Sequence, residues 1–108
     1  MKNETLVEIL GLLINKSEFN NGNPPLKIGE NYFVRTVTNY MVGKLEEIVG
    51  GFLVFSSASW IPDTGRFMDF LKIGEAKEVE PVSGLYRVAI GSIVDVFEWK
   101  HNLPDKQK

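Results

Sequence analysis

The residue types best suited to ligand binding lie close together, between residues 60 and 67. Within eight positions the chain offers an indole, a carboxylate, a hydroxyl, a guanidinium and a phenyl ring: Trp60, Asp63, Thr64, Arg66 and Phe67. A guanidinium can hold a phosphate or carboxylate through two parallel hydrogen bonds, and an indole offers a face for stacking. The segment is therefore a candidate binding loop.

The same segment also fits two structural interpretations. In the first, which we favour, the aromatic side chains cap one end of the fold, since aromatic residues at helical spacing usually lie in a core. Asp63 and Arg66 then pair across one helical turn. In the second, the aromatic side chains are buried against another subunit, because protein interfaces are enriched in Trp, Tyr, Phe and Arg.

Residues that could carry out catalysis or hold a metal are sparse. The chain has no cysteine and one histidine, His101, which has no metal-ligand partner three or four residues away. Glu46 and Glu47 point to opposite faces of a predicted strand, while Glu78 and Glu80 share a face that we interpret as solvated. Glycine-rich phosphate loops and a Gly-x-Ser-x-Gly elbow do not occur. The sequence predicts no enzyme, no metal site and no cofactor.

Composition and charge limit the class of protein. The 108 residues are 44% hydrophobic, carry a net charge of −2 and suffice for a single domain. Lysines and arginines are scattered, so we expect no duplex DNA partner, and RNA is disfavoured. The longest apolar runs fall far short of the roughly 20 residues of a membrane span. The N-terminus lacks the basic region of a secretory signal, and we predict a cytoplasmic protein with no membrane partner.

Periodicity divides the domain into a helix, a linker and a β-rich body. An apolar stripe at helical spacing predicts a helix over residues 4–16, and an Asn- and Pro-rich linker follows over 17–30. Alternation of apolar and polar residues predicts a small, strongly bent β-barrel of five to six strands over 31–99, with strands at 32–40, 42–49, 52–57, 75–82, 85–90 and 93–97. The predicted fold class is thus mainly β with an N-terminal α-helix.

An insertion separates the third and fourth predicted strands. It covers about residues 58–74, and Asp63 or Thr64 is expected to cap a short helix that runs to about Leu71 and is stopped by Gly74. Two glycine-containing turns support the strand assignment. Gly50-Gly51 suits a two-residue hairpin, and Gly91-Ser92 joins the last two strands. Residues 100–108 form a tail.

The strand spacing and glycine positions resemble an Sm-like (LSm or Hfq-type) barrel. A helix, a strand at 32–40, a strand containing Gly43 and a strand from Phe52 are similar to its first half, and "YRVAIGSIVDVF", residues 86–97, to its second. The same features resemble a generic SH3-like barrel nearly as closely. The chain also looks like small proteins carried by phages and prophages. The Sm resemblance implies a ring of six or seven copies joined through the last strand.

The resemblance implies self-association more than RNA binding. The last strand would supply the subunit interface: Ile93, Val94, Asp95, Val96 and Phe97. The positions that contact RNA in the family are occupied here by Gly50-Gly51 and Ile90-Gly91, which lack the side chains that would hydrogen-bond or stack on a base.

Three functions follow as hypotheses. The leading one is a non-enzymatic, self-associating barrel, a ring or a dimer, that serves as a structural or protein-interaction component and also takes another protein as partner. The alternative is an Sm-type single-stranded RNA-binding protein with a basic groove near Arg35, Lys44 or Arg87. The third is a small-ligand or nucleotide-binding protein with a pocket between the insertion and the barrel, held by Arg66.

Overall fold

The computed structural model describes residues 25–108, so the predicted helix over 4–16 and most of the linker lie outside the described part of the chain. Six strands and one helix follow in the order β1 Asn31–Thr36, β2 Tyr40–Val49, β3 Phe52–Asp63, α1 Phe67–Ile73, β4 Glu78–Pro81, β5 Tyr86–Ala89 and β6 Ile93–Glu98. A single 3-10 turn, Ile90–Ser92, links β5 to β6. The prediction of a mainly β fold is confirmed for these residues.

The strands form one antiparallel sheet with the order β4-β3-β2-β1-β6, and β5 pairs with β3 off this path. Among residues 25–108 the sheet does not close, so the predicted barrel is not confirmed: β4 and β6 end the path, and β5 ends the branch. The hairpin between β2 and β3 turns at Gly50 and Gly51, with φ angles of 58° and 82° that favour glycine. Gly43 lies at a register shift, where a Cβ would come within 3.1 Å of Phe55 Cβ.

The third strand is longer than the sequence pattern predicts. Strand β3 does not end at Ser57 but continues to Asp63, so the first part of the predicted insertion is strand. Ser57 adopts a φ of 48° without ending the strand. Pro62 lies between the pairs Trp60↔Glu80 and Asp63↔Glu78, where the register is irregular, so its missing N–H costs no ladder bond.

The predicted helix start is also wrong. Strand β3 occupies Asp63, whose Oδ1 accepts a hydrogen bond from the Gly65 N–H at 2.8 Å, and the helix begins after Arg66 without a side-chain cap. Helix α1 lies between β3 and β4 and is followed by Gly74 at a φ of 82°. Its buried residue is Phe70.

Both faces of the central strands are buried, and each face has its own apolar cluster. One cluster joins β1, β2, β3 and β5: Tyr32, Val34, Met41, Leu45, Leu53, Phe55, Ala58 and Val88. The other lies beneath α1 and the C-terminal segment: Phe33, Val42, Ile61, Phe70, Ala76, Val79 and Trp99. Successive side chains of a strand alternate between its faces. Phe33 therefore lies in the second cluster, and its neighbours Tyr32 and Val34 lie in the first. The segment between β3 and β4 thus contributes Phe70 and Ala76 to the second cluster, which packs on the other face of the sheet.

Candidate functional site

The candidate binding residues of the 60–67 segment do not converge on one point. Trp60 lies on β3 with 46% of its surface exposed, and it lines a shallow cleft with residues 36–40. Phe67 opens α1 and packs against Phe33 and Phe97, with ring centroids 5.9 and 5.5 Å apart. Thr64 donates a hydrogen bond to the Gly65 carbonyl, a local turn contact.

Arg66 is exposed, with 83% of its side-chain surface accessible. Its Nε lies 4.0 Å from Asp69 Oδ2, one turn along the helix, so its ion pair is with Asp69 rather than with Asp63. Exposed pairs of this kind contribute little to stability. The geometry provides no enclosed anion site around this guanidinium.

The guanidinium that the structure does hold firmly is that of Arg35 on β1. Its Nε donates to Asp95 Oδ1 at 2.7 Å, and a second N–H donates to Asp95 Oδ2. Its central carbon lies 5.0 Å from the Phe67 ring centroid, 5.7 Å from that of Phe97 and 5.8 Å from that of Tyr40. Arg35 therefore contacts β2, α1 and β6 at once, and it combines a bidentate ion pair with three cation–π contacts.

This arrangement fixes the charges of both partners. Hydrogen bonding to Asp95 raises the pKa of Arg35 above its usual range, and the Arg35 hydrogen bond holds the pKa of Asp95 below its ordinary value. The pair links β1 to β6 and so positions β6 in the sheet. Sequence analysis missed it because the partners lie sixty residues apart.

The predicted interface strand, β6, is the end of the sheet and pairs with β1 only. The Trp99 N–H donates to the Asn31 carbonyl at 3.0 Å, and pairing continues through Phe33↔Phe97 and Arg35↔Asp95. Since antiparallel pairs alternate, the N–H and C=O groups of Val96 and Glu98 point away from β1. None of the residues from 25 onward forms a ladder with that outer edge.

Apolar side chains accompany this edge. Val94 lies at the register shift between β1 and β6 and has 63% of its surface exposed, whereas Ile93, Val96 and Phe97 are partly buried. An open edge with an exposed aliphatic side chain and no proline is a surface on which another strand can pair.

The opposite end of the sheet is protected. Strand β4 contains Pro81 and two glutamates, and its Val79 exchanges two main-chain hydrogen bonds with Lys108, at 3.1 and 3.0 Å. The C-terminal segment is held farther back by Ser59, whose hydroxyl donates to the Pro104 carbonyl at 3.3 Å. His101 Nε2 also lies 2.7 Å from the Leu71 carbonyl, at the end of α1.

Strand β5 offers a second open edge. It pairs with β3 through Phe52↔Ala89 and Phe55↔Tyr86, and the Ile90 N–H donates to the Gly51 carbonyl at 2.9 Å. By the same alternation, the main-chain groups of Arg87 and Ala89 point away from β3. Arg87 is exposed and is the charged residue of this strand.

Metal-ligand clusters and membrane-spanning helices were sought among the described residues. Within residues 25–108 no three His, Asp or Glu side chains are grouped so that they could hold a metal ion. The helix that the structure describes is too short to cross a bilayer. Comparison of the chain with protein-family models, with curated proteins and with solved structures found no significant match.

Proposed function

We propose that this chain is a self-associating structural or protein-interaction domain whose β6 outer edge pairs with a strand of a second copy. The observation that carries the proposal is the contrast between the sheet ends: β4 is covered by the chain's own C-terminal segment, and β6 is not covered by any described residue. Natural proteins protect strand edges that must remain unpaired. An edge of six residues left open beside Val94 is suited to pairing.

The charges of the open edges favour β5 of the second copy as the partner strand. Asp95 is paired with Arg35, and Glu98, which lies 3.3 Å from Lys100 Nζ at an exposed site, is the acid that a second copy would meet. Pairing β6 with its own copy adds a second Glu98 to the same edge. Strand β5 carries Arg87 and no acid. Pairing β6 with β5 is a head-to-tail contact, which generates a ring when the rotation between copies closes.

The likeness to a bent Sm-like or SH3-like barrel belongs to the same proposal. Its support is the position of β1 between β2 and β6, together with the 3-10 turn that joins β5 to β6. In the RNA-binding alternative, a basic groove lies near Arg35, Lys44 or Arg87. The bidentate pair with Asp95 weakens the contribution of Arg35 and leaves that groove to Lys44 and Arg87.

Light scattering at increasing protein concentration, after nuclease treatment, measures the absolute mass on which the proposal depends. We expect a multimer, a lower mass for Arg87→Glu, and recovery of mass when Arg87→Glu is combined with Glu98→Arg. Arg66→Glu is the matched control, because it reverses the same charge at an exposed site outside the two edges. A monomeric wild-type protein would overturn the proposal, and multimers held by nucleic acid that dissociate at high salt would favour the RNA alternative.

A further inference from the structure

A cleft at the end of β1 has no role in the proposed strand pairing. It has a volume of about 470 Å³ and is lined by residues 36–40, at the turn between β1 and β2, and by residues 60–62 of β3. This volume is within the range of small-molecule sites, about 300–1,000 Å³. No lining residue is charged, so the cleft suits a neutral ligand.

Trp60 supplies a stacking surface in this cleft. Its backbone pairs with Met41 on one side and with Glu80 on the other, so the sheet fixes its position. Because Trp60 lies opposite Met41, its side chain and that of Tyr40 lie on opposite faces of the sheet. The indole, with 46% of the residue's surface exposed, is therefore a single platform and not one wall of an aromatic groove.

Hydrogen bonds fix the turn beside the indole. The Thr36 hydroxyl contacts the Asn39 carbonyl and Asn39 Oδ1, both at 2.8 Å, and it accepts the Asn39 main-chain N–H at 3.1 Å. The Asn39 side-chain amide reaches β5, where it donates to the Tyr86 hydroxyl at 3.3 Å. The polar groups of the turn are thus in place before a ligand arrives, which lowers the entropy lost on binding.

Both donors and acceptors remain for a ligand. Tyr86 uses one N–H of the Asn39 amide, and within residues 25–108 neither the other N–H nor the Trp60 indole N–H has an acceptor. The exposed Thr38 hydroxyl donates to Asn39 Oδ1 at 3.2 Å, and its oxygen accepts no hydrogen bond from these residues. Since a hydroxyl oxygen has two acceptor positions, the rim offers hydrogen bonds of both kinds.

From this combination we infer that the cleft binds a neutral saccharide. A pyranose ring with equatorial hydroxyls, as in glucose, has an apolar face of C–H groups that packs on an indole. Each of its hydroxyls both donates and accepts hydrogen bonds, which matches the free groups of Thr38, Asn39 and Trp60. The ring carries no charge, as the lining does not.

Other ligands with flat groups match the cleft less well. Single-stranded nucleic acid needs a basic groove beside the stacking face, and none of the lining residues is Lys or Arg. A purely apolar ligand would cover the indole N–H and the Asn39 amide without giving them a partner, and unpaired polar groups disfavour binding.

The cleft is separate from the two edges of the proposed strand pairing. None of its lining residues belongs to β5 or β6. We therefore expect a monomeric protein to bind the saccharide as well as a multimer does. A monomeric wild-type protein would overturn the proposed self-association and leave the saccharide site to be judged by its own test.

Nuclear magnetic resonance of the two indole N–H groups is that test, with cellotetraose, a chain of β-linked glucose units, as the probe. Trp99 is buried and its indole N–H donates to the Asn102 carbonyl at 3.1 Å, so it serves as an internal control. We expect a saturable shift of the Trp60 resonance, equal at low and high salt, and none of the Trp99 resonance. Failure of the Trp60 signal to move at millimolar cellotetraose would overturn the inference.

Variants and alternative probes make the test specific. Thr38→Val keeps the shape of the side chain but removes the hydroxyl, and we expect the affinity for cellotetraose to fall about 2- to 10-fold, as for the loss of one hydrogen bond. Thr64→Val is the matched control, because it removes a hydroxyl that donates to the Gly65 carbonyl in a turn outside the cleft, and it should leave the affinity unchanged. An equal shift of Trp60 with end-capped decaproline, or with single-stranded oligothymidine, would contradict the saccharide assignment.

Discussion

The two ends of the sheet contrast in how their edges are treated. Strand β4 has four residues, includes Pro81, and exchanges main-chain hydrogen bonds with Lys108. Strand β6 has six residues, contains no proline, and exposes Val94. At the β4 end, the segment that follows Trp99 packs against α1 and covers the edge. The β6 edge has no comparable protection from residues 25–108.

Under the proposed self-association, the β4 edge is protected from pairing with another strand and the β6 edge is not. Exposed main-chain groups on a sheet edge attract further strands unless proline, charge or a covering segment prevents it. Both end strands carry two acidic residues, but only β4 also has a proline and a covering segment from residues 25–108. At the β6 end, an internal ion pair between Arg35 and Asp95 holds the strand in place while leaving its outer groups accessible. We interpret the outer edge of β6 as the proposed pairing surface for a strand of a second copy.

The largest expected effect on stability comes from a substitution at Gly74, where the C-terminal segment packs against the end of α1. This residue has a φ of 82°, and an added Cβ would lie 2.5 Å from His101 Cγ. Gly74→Ala therefore combines backbone strain with a clash against the residue that anchors the C-terminal segment to α1. We expect a loss of about 2–4 kcal/mol in the free energy of unfolding, measured in denaturant.

Gly84→Ala is the matched control. Gly84 has the same φ of 82°, but an added Cβ there meets nothing within 4 Å. Only the strain remains, so about 1–2 kcal/mol should be lost. Equal losses in the two variants would show that the His101 contact contributes nothing.

Placing a charge on the open edge should weaken association next most strongly. Val94→Lys puts an ammonium group near the start of the proposed contact, and we expect the dissociation constant of the multimer to rise at least tenfold, about 1.4 kcal/mol. Val49→Lys changes a residue of similar exposure, 51% against 63%, at the β2–β3 hairpin and should leave the mass unchanged. Analytical ultracentrifugation measures both, and identical masses for the two variants would count against the β6 edge.

Opening the protected edge should have a smaller effect on stability and the opposite effect on mass. Removal of residues 106–108 takes away the two main-chain hydrogen bonds to Val79. We expect a loss of about 1 kcal/mol in unfolding free energy and the appearance of larger species at high concentration. Unchanged mass in this variant would mean that Lys108 is not what keeps the β4 edge unpaired.

The smallest effect concerns the ion pair that positions β6. Because the pKa of Asp95 is lower in the folded protein than its ordinary value, the pair stabilises the fold above about pH 4 and loses this effect as the pH falls through the lowered pKa. Asp95→Asn should therefore lower the denaturant midpoint slightly at pH 7, and the difference from wild type should shrink near pH 2. Asp69→Asn, at the exposed 4.0 Å contact with Arg66, is the control and should leave the denaturant midpoint at pH 7 unchanged. A difference for Asp95→Asn that is constant with pH would contradict this role.

Local patterns predicted much of the described fold. Alternation indicated strands at β1 and β2, and the glycines at 50 and 51 indicated the β2–β3 hairpin, because those signals depend on neighbouring residues alone. The turn at residues 37–39 lies inside the predicted strand 32–40, so β1 ends earlier than predicted. The continuation of β3 through Pro62 could not be predicted in this way. That proline is tolerated only because the register with β4 is irregular at its position, which is a property of the pairing.

The site depended still more on long-range contacts. Trp60 was identified as a binding candidate, but residues 36–40, which line the same cleft, belong to another part of the chain, and the sequence pattern marked them only as alternating. Arg66 was predicted to hold a ligand because of the residues next to it in sequence, but its side chain is exposed. Arg35, which contacts three elements, has its carboxylate partner sixty residues away, and no local spacing indicates that pair.

Amide hydrogen exchange at Val96 and Glu98 tests the central claim most directly, because these N–H groups point away from β1. Measured residue by residue at the concentration where the wild-type protein is multimeric, both amides should be protected, and Val94→Lys should abolish that protection. Rapid exchange of both amides in the wild-type multimer would contradict pairing through β6. Strong protection in a sample that light scattering shows to be monomeric would contradict it equally, since the edge would then be covered within a single chain.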